Sequence, residues 1–198
     1  MSHEINERYD IRTNSGRLYN YAELGSGNLP TVHEIASHLS KEQRFGGATR
    51  DFYSVAQHAV LVSRVVEKMA GPFEALYALH HDDHEFLLKD IPSPLKNYIF
   101  DHAGHDIIGE LEDTLDERIY NEMLQLEWPI PDYIAELIET ADMAMFVTEG
   151  MALVRNFQAP PEVAAADITI NPLSPPQAEQ LFLQRHTQLI TRRGRRVA

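Results

Sequence analysis

Four side chains that can bind a metal lie within long apolar helical stretches of this chain: His58, the adjacent pair His81 and Asp82, and Asp142. A polar or charged group is costly to bury in such a stretch unless something binds it. The pair follows His58 by 23 residues, and Asp142 follows the pair by 60. The types and spacing therefore predict one divalent-metal site built from three helices.

The ligand types limit the metal and indicate catalysis. The chain has no cysteine, so any ion must be held by nitrogen and oxygen atoms, which suit Mn, Fe, Co, Ni, Zn or Mg. Four protein ligands leave open positions for water and substrate on an ion of higher coordination number. A single helical histidine is more often a surface residue, and the acidic run HHDDHE can simply face solvent. The combination of residues is what favours a metal site.

The elements that must position these residues are helices, so the fold class is predicted to be all-α. Thr31 with Glu34 and Ser54 with Gln57 form two capping-box patterns, each opening an apolar period of three and four residues. Asp132 is predicted to cap a later helix. The predicted helices cover residues 31–39, 54–70, 73–88, 105–127, 132–156 and 174–190, the last with proline at its first position.

A small β-hairpin is predicted near the N-terminus, because Asn14, Ser15 and Gly16 form a turn between two short apolar runs. The length of 198 residues is typical of one domain with a substantial core. We expect an N-terminal extension at residues 1–30, a core at 31–157, and a loop with a C-terminal helix at 158–198.

Charge and hydropathy exclude several classes of partner. The net charge of −13 argues against a nucleic-acid-binding protein, which usually needs a basic face. The basic cluster TRRGRR at residues 191–196 is predicted to be a solvated tail. No apolar run approaches the roughly 18 residues needed to span a membrane. The polar N-terminus predicts no signal peptide, so we expect a cytoplasmic protein.

Three segments of the chain resemble the HD-domain phosphohydrolases: SVAQH at residues 54–58, LHHDDHEFLLKDIPSP at 79–94, and ETADMA at 139–144. They are most similar to the small nucleotidase branch, which includes bacterial 5′-deoxynucleotidases and phage dATP triphosphohydrolases. The upstream run RFGGATRDFYSVAQH at 44–58 resembles the same members. The resemblance covers roughly residues 31–150 and implies a single HD-domain helical bundle.

The resemblance assigns roles to individual residues. It implies that the four residues named above are the metal ligands, that Glu85 is the catalytic carboxylate, and that Asp90 is a second acidic residue near the substrate. Arg44 lies in the matching upstream loop and is expected to clamp phosphate. Arg50 and Lys96 are weaker substrate-binding candidates.

Other residues near these motifs have two interpretations. Aromatic side chains in the matching segments can pack on a base or sugar, although core packing is the commoner role. Glu85 follows His81 by four residues, so on a continuous helix both would project from one face. His80 and His84 can line a cleft, and His102 and His105, which lie three residues apart, can bind adventitious metal. These candidates are Phe45, Phe52, Tyr53, Tyr98, His80, His84, His102 and His105.

The function that the resemblance implies is a metal-dependent phosphohydrolase acting on deoxynucleoside 5′-phosphates. The RFGG segment favours a dNTP triphosphohydrolase that releases triphosphate. The alternative is a 5′-deoxynucleotidase that converts dNMPs to nucleoside and phosphate. A cyclic-nucleotide or alarmone hydrolase and a non-catalytic nucleotide-binding module are further alternatives. The expected partners are the small-molecule nucleotide and a second copy of the chain in a homo-oligomer, with no nucleic acid and no membrane.

Overall fold

The protein, described by a computed structural model over residues 8–194, has an all-α fold with one small hairpin, as predicted. Strand β1 (Asp10–Arg12) pairs antiparallel with β2 (Leu18–Asn20), with Ile11 opposite Tyr19. The turn between them uses Gly16 at φ 84°, a conformation in which glycine has no steric penalty. The predicted hairpin is therefore confirmed.

Eight α-helices account for most of residues 8–194, and α2 lies at their centre, packed against α3, α7 and α8. Both faces of α2 are buried along most of its length, which explains its apolar sequence. The helices are α1 (Val32–Leu39), α2 (Val55–Met69), α3 (Pro72–Leu79), α4 (Glu85–Leu88), α5 (Ser93–Ala103), α6 (Ile107–Arg118), α7 (Asp132–Leu153) and α8 (Pro175–Gly194). Within the same residues, no helix is long and apolar enough to cross a membrane.

The two predicted capping boxes differ in outcome. Thr31 and Glu34 form the complete reciprocal box at the start of α1. At the start of α2, the Ser54 hydroxyl accepts from the backbone N–H of Gln57. The Gln57 side chain instead bonds the backbone at residues 171–173, which fastens the segment before α8 to α2. That prediction was therefore half right.

The predicted helix over residues 73–88 is wrong, because the chain leaves the helix after Leu79 and forms turns over residues 80–84. The His80 ring bonds the Asp83 carboxylate at 2.6 Å inside this turn, and such local side-chain bonds compete with helix geometry. His81 and Asp82 therefore lie in a turn, and the predicted ligand set on three helices becomes two helices and a turn.

Three other boundaries also need correction. Helix α5 was not predicted, although Pro92 immediately precedes it and Pro94 lies in its first turn, where proline is tolerated. The helix predicted over residues 105–127 is α-helical only from Ile107 to Arg118. The chain then continues as a π-helical turn, Ile119–Met123. Asp132 makes no capping bond, because it is the first residue of α7 and Pro131 precedes it, and α7 ends at Leu153.

The basic cluster near the C-terminus is not a free tail where the structure describes it. Helix α8 begins with proline as predicted but continues to residue 194. Arg192 pairs with Glu67 on α2, and Arg193 donates to two backbone carbonyls of residues 124–125 at 3.0 and 2.7 Å. Residues 195–198, which include the last two arginines of the cluster, lie outside the described residues.

Candidate metal centre and cleft

The four predicted ligands converge on one point, with His58 from α2, His81 and Asp82 from the turn, and Asp142 from α7. The His58 Nε2 atom lies 2.9 Å from Asp142 Oδ1 and 3.7 Å from Asp82 Oδ2. The His81 Nε2 atom lies 3.3 Å from Asp82 Oδ2 and 4.0 Å from Asp142 Oδ1. An ion about 2.1 Å from each of its ligands separates the donor atoms by about 3 to 4 Å. The donor atoms of His58, His81 and Asp82 all lie within 4.8 Å of one another, which fits one ion, and Asp142 adjoins the two histidines.

The hydrogen bonding of these atoms also fits a cation. His81 Nε2 is buried without a hydrogen-bond partner, and the buried atoms His58 Nε2 and Asp142 Oδ1 face each other at 2.9 Å without the alignment of a hydrogen bond. Buried polar atoms normally have a partner, so these three atoms, with both histidine nitrogens within 4.0 Å of Asp142 Oδ1, need an explanation. The Nδ1 atom of His81 lies 2.9 Å from the carbonyl of Ala78, which it can donate to, leaving a lone pair on Nε2. The residues present therefore fit a divalent ion.

The ion affinity is expected to depend on pH through His58. Burial alone would lower the pKa of this histidine, but the carboxylates of Glu149 and Asp142 outweigh it and raise the pKa to about 10. At neutral pH the ion-free ring therefore holds a proton that a metal must displace. Release of one proton makes the apparent Kd for Mn²⁺ fall about tenfold for each unit of rising pH below that pKa.

Calorimetric titration with Mn²⁺ from pH 6 to pH 8 checks this expectation. Repeating the titration in two buffers of different ionisation enthalpy counts the protons released. An affinity that does not change over this pH range, with no proton release, would contradict the assignment of His58 as a protonated ligand in the ion-free protein.

A cleft of about 630 Å³ opens beside the ligands. One part of its lining is charged and the other part is apolar. The charged residues are Arg44, Asp82, Glu85, Asp90, Lys96 and Asp142, and the apolar residues include Phe45, Ile91, Pro92, Met143 and Phe146. An ion between the four ligands would therefore face a cavity large enough for a small molecule with one charged and one apolar end.

Two carboxylates of the cleft have environments suited to proton transfer. Burial raises the pKa of Glu85 well above its ordinary value, and the charges of Asp82 and Asp90 raise it further. Burial also raises the pKa of Asp90. The Oε2 atom of Glu85 is buried and has no hydrogen-bond partner. Glu85 opens α4 whereas His81 lies in the preceding turn, so they do not share the face of one continuous helix as predicted.

The three predicted substrate-binding cations lie in different places. Arg44 is close to the ligands, with Nη1 3.4 Å from Asp82 Oδ2 and Nη2 3.9 Å from Asp142 Oδ1. Lys96 lines the cleft but donates to Glu112 at 2.6 Å. Arg50 is exposed and its guanidinium contacts the carbonyl of Ala152, away from the cleft lining.

The aromatic and histidine candidates also lie in different places relative to the cleft. Tyr53 is fully buried and Tyr98 is 60 % exposed, so neither lines the cleft. Phe45 does line it and stacks on Phe146, with ring centroids 5.4 Å apart. The remaining candidate histidines are occupied elsewhere: His80 by Asp83 and His186, His84 by Asp116, and His102 and His105 by backbone carbonyls.

One buried carboxylate next to the predicted ligands, Glu149, was not identified from the sequence. It lies on α7 seven residues after Asp142, which is two helical turns along the same face, so the spacing was available in the sequence. It is fully buried and accepts hydrogen bonds from His58 Nδ1 at 2.8 Å, from the Tyr53 hydroxyl at 2.7 Å and from Arg44 Nε at 3.2 Å. A buried carboxylate therefore lies behind the predicted ligands and contacts one of them, His58.

The aromatic side of the cleft depends on close packing at Gly150. Phe45 has φ 57°, which is uncommon for a bulky residue, and its ring contacts Phe157 at 6.4 Å between centroids. Phe157 also contacts Phe146 at 5.3 Å and lies directly against the backbone of Gly150. A methyl group on Gly150 would overlap this ring.

We therefore expect Gly150→Ala to destabilise the protein by about 1–3 kcal/mol, the usual range for overpacking. Thermal and urea unfolding measure this effect. Gly25→Ala is the matched control, because an added methyl group there meets only Thr114 at an ordinary 3.6 Å. A Gly150→Ala protein as stable as Gly25→Ala would show that the aromatic cluster rearranges without strain.

Comparison with known proteins gives one informative relative. No model of a known protein family matches the chain. The chain is similar to an uncharacterized protein of Escherichia coli (strain K12), YfdR, with 32% identity over 184 residues. The alignment covers 90% of this chain and 94% of the relative. The chain belongs to the YfdR family.

Proposed function

We propose that this protein is a metal-dependent phosphohydrolase acting on deoxynucleoside 5′-phosphates. The observation that carries the proposal is the set of buried, unpartnered donor atoms of His58, His81 and Asp142, next to a cleft that Asp82 and Asp142 line. A cation site that opens onto a substrate-sized cavity is typical of a catalytic site rather than a structural one. The resemblance of the same residues to HD-domain phosphohydrolases supports the reaction class.

The residues around the ligands have the chemistry for phosphate ester hydrolysis. A divalent ion held by the four ligands supplies positive charge to the phosphoryl oxygens and lowers the pKa of water. Arg44 offers two guanidinium nitrogens to a phosphate, which suits bidentate binding. Glu85 accepts a proton from the attacking water, and Asp90 donates one to the leaving oxygen. The water oxygen bonds to phosphorus as the bond to the 5′-oxygen breaks.

The apolar part of the cleft fits a nucleoside. Phe45 and Phe146 form a stacked pair at its edge, and Met143 and Pro92 continue the apolar lining. Aromatic faces and apolar side chains bind a nucleobase by stacking, largely independently of base identity. The charged and apolar halves of the cleft together support a nucleoside phosphate as the class of substrate.

The charges of the cleft favour a monophosphate over a triphosphate. Arg44 and Lys96 are the cations in the described lining, and both already contact carboxylates. Four acidic residues share that lining. A triphosphate brings several more negative charges than a monoester and is commonly bound by a cluster of Lys and Arg. Of the two modes implied by the resemblance, we therefore propose the 5′-nucleotidase mode.

A substrate panel tests the proposal. The protein is stripped with EDTA and reloaded separately with Mn, Co, Ni, Zn or Mg, then given dNMPs, dNTPs and cyclic nucleotides. We expect ion-dependent release of phosphate from dNMPs. Release of triphosphate from dNTPs would select the other mode, and hydrolysis of cyclic nucleotides alone would select another reaction class. No turnover with any ion would reject a phosphohydrolase.

Two arginines of one loop provide a matched pair of variants. Arg44→Ala should lower kcat/KM for the hydrolysed nucleotide by about 10²-fold, because it removes a charge-assisted phosphate contact near the ligands. Arg50→Ala removes the same charge six residues away, where the side chain is exposed, and should leave kcat/KM unchanged. Equal effects of the two substitutions would contradict the role of Arg44.

A further inference from the structure

We propose that Glu149 is a positioning residue that holds a metal ligand and the phosphate-binding arginine at once, so that one buried carboxylate supports both ion binding and phosphate binding. The inference rests on the proposed function. It concerns a residue behind the predicted ligands that is itself neither part of the cleft lining nor one of those ligands.

The first contact of Glu149 orients His58. The Nδ1 atom of the ring donates to Glu149 Oε1 at 2.8 Å, which fixes the ring and directs Nε2 towards Asp142 and Asp82. Both His58 and Glu149 are fully buried, so water does not replace this bond when it is lost. Carboxylates that bond the second nitrogen of a ligating histidine typically change metal affinity by 10–100-fold when they are removed.

The second contact of Glu149 holds Arg44. The Nε atom of the guanidinium donates to Glu149 Oε2 at 3.2 Å. The other two nitrogens, Nη1 and Nη2, point towards Asp82 and Asp142 beside the cleft. One edge of the planar group is therefore anchored in the interior, while the opposite edge faces these two carboxylates at the cleft, where a phosphate would bind.

The two contacts use different oxygen atoms, and this division makes them separable. Oε1 accepts from His58 and from the Tyr53 hydroxyl, whereas Oε2 accepts from Arg44. Glutamine has one carbonyl oxygen and one NH₂ group, which is a donor. In Glu149→Gln the amide oxygen can accept from both His58 Nδ1 and the Tyr53 hydroxyl. The NH₂ group then faces Arg44 Nε, which is also a donor, so that hydrogen bond is lost.

Three variants test this arrangement. Glu149→Ala should lose both contacts, and Glu149→Gln should retain the contact to His58 but lose the contact to Arg44. Tyr53→Phe is the matched control, because it removes a buried hydrogen bond to the same carboxylate while leaving His58 and Arg44 in place. Circular dichroism and thermal unfolding establish that each variant is folded.

Two binding measurements test the contacts of Glu149 with His58 and with Arg44 separately, and neither requires catalytic turnover. The first is the Kd of Mn²⁺ for the EDTA-stripped protein. The second is the Kd of inorganic phosphate for the Mn²⁺-loaded protein at saturating ion. We expect Glu149→Ala to weaken Mn²⁺ binding by about 10–100-fold, and Glu149→Gln to weaken phosphate binding about tenfold while Mn²⁺ binding changes by less than about threefold. Tyr53→Phe should match the wild type in both.

The outcomes separate this proposal from the proposed function. Normal Mn²⁺ and phosphate binding in Glu149→Gln and Glu149→Ala would overturn the role of Glu149 even if the enzyme hydrolyses nucleotides. Equal losses in the glutamine variant and in Tyr53→Phe would mean that general packing is responsible, and would also overturn it. If Glu149→Ala does not fold, the comparison of Glu149→Gln with Tyr53→Phe still decides. Failure of the wild type to bind any divalent ion would overturn both proposals.

Discussion

Replacement of Asp82 by alanine is expected to abolish both ion binding and turnover. Its Oδ2 atom lies 3.3 Å from His81 Nε2 and 3.7 Å from His58 Nε2, so the carboxylate belongs to the centre of the ligand cluster. Without it the cluster loses a negative ligand, and the two histidines face one carboxylate, Asp142. We expect kcat/KM to fall by about 10³-fold or more, which corresponds to at least about 4 kcal/mol of transition-state stabilisation.

Ion content by mass spectrometry and phosphate release from the substrate measure the two losses. Asp101→Ala is the control, because Asp101 is exposed on α5 and its removal changes the net charge equally. Normal ion content and full activity in the Asp82→Ala protein would eliminate the centre described here.

Replacement of Glu85 by glutamine should have the second-largest effect, by a different route. The side chain keeps its size but can no longer accept a proton, so the ion should remain bound while kcat falls by about 10²–10⁴-fold. The burial of Glu85 and the unpartnered Oε2 atom are the reasons to expect a group poised for proton transfer. Ion content and single-turnover kinetics test the two parts separately.

A specific alternative gives this experiment a second informative outcome. Donor atoms of Asp82, His84 and Glu85 lie within 4.8 Å of one another and could themselves hold an ion. Loss of bound ion in Glu85→Gln would make Glu85 a ligand and exclude it as the base. An unchanged kcat with normal ion content would transfer the role of base to another residue, and Asp90 is the remaining acidic residue of the cleft lining that is not a predicted ligand.

The sequence was sufficient for the all-α class, the hairpin and the convergence of the four ligands, because periodicity and residue type report directly on helices and on costly buried groups. It was insufficient at the turn over residues 80–84. There, helix-compatible residues are diverted by the bond between His80 and Asp83 and by packing of His80 against His186 of α8. Asp83 is a near neighbour in the sequence, but the contact with His186 becomes visible only when α3 and α8 meet in space.

The candidate site shows the same limit. A glutamate within a helix is ordinarily exposed, so the sequence did not indicate that Glu149 is buried. Its burial depends on the packing of α2 against α7. Arg44 and Arg50 are equivalent by composition. Only the loop backbone, with Phe45 in a left-handed conformation, directs the first arginine towards the ligands and leaves the second in solvent. The resemblance ranked Arg44 above Arg50, whereas residue type alone did not distinguish them.

Helix α5 contributes Ser93, Pro94 and Lys96 to the cleft lining, yet it packs against α6 without burying any of its own side chains, whereas most of α2 is buried. Local opening of a segment requires little free energy when the segment holds few buried contacts. The amide hydrogens of α5 should therefore exchange with solvent by local opening, long before those of α2, which require global unfolding. One wall of the cleft can thus open and close while the interior that bears the predicted ligands stays folded, which would give a small molecule in the cleft a way out that leaves those ligands in place.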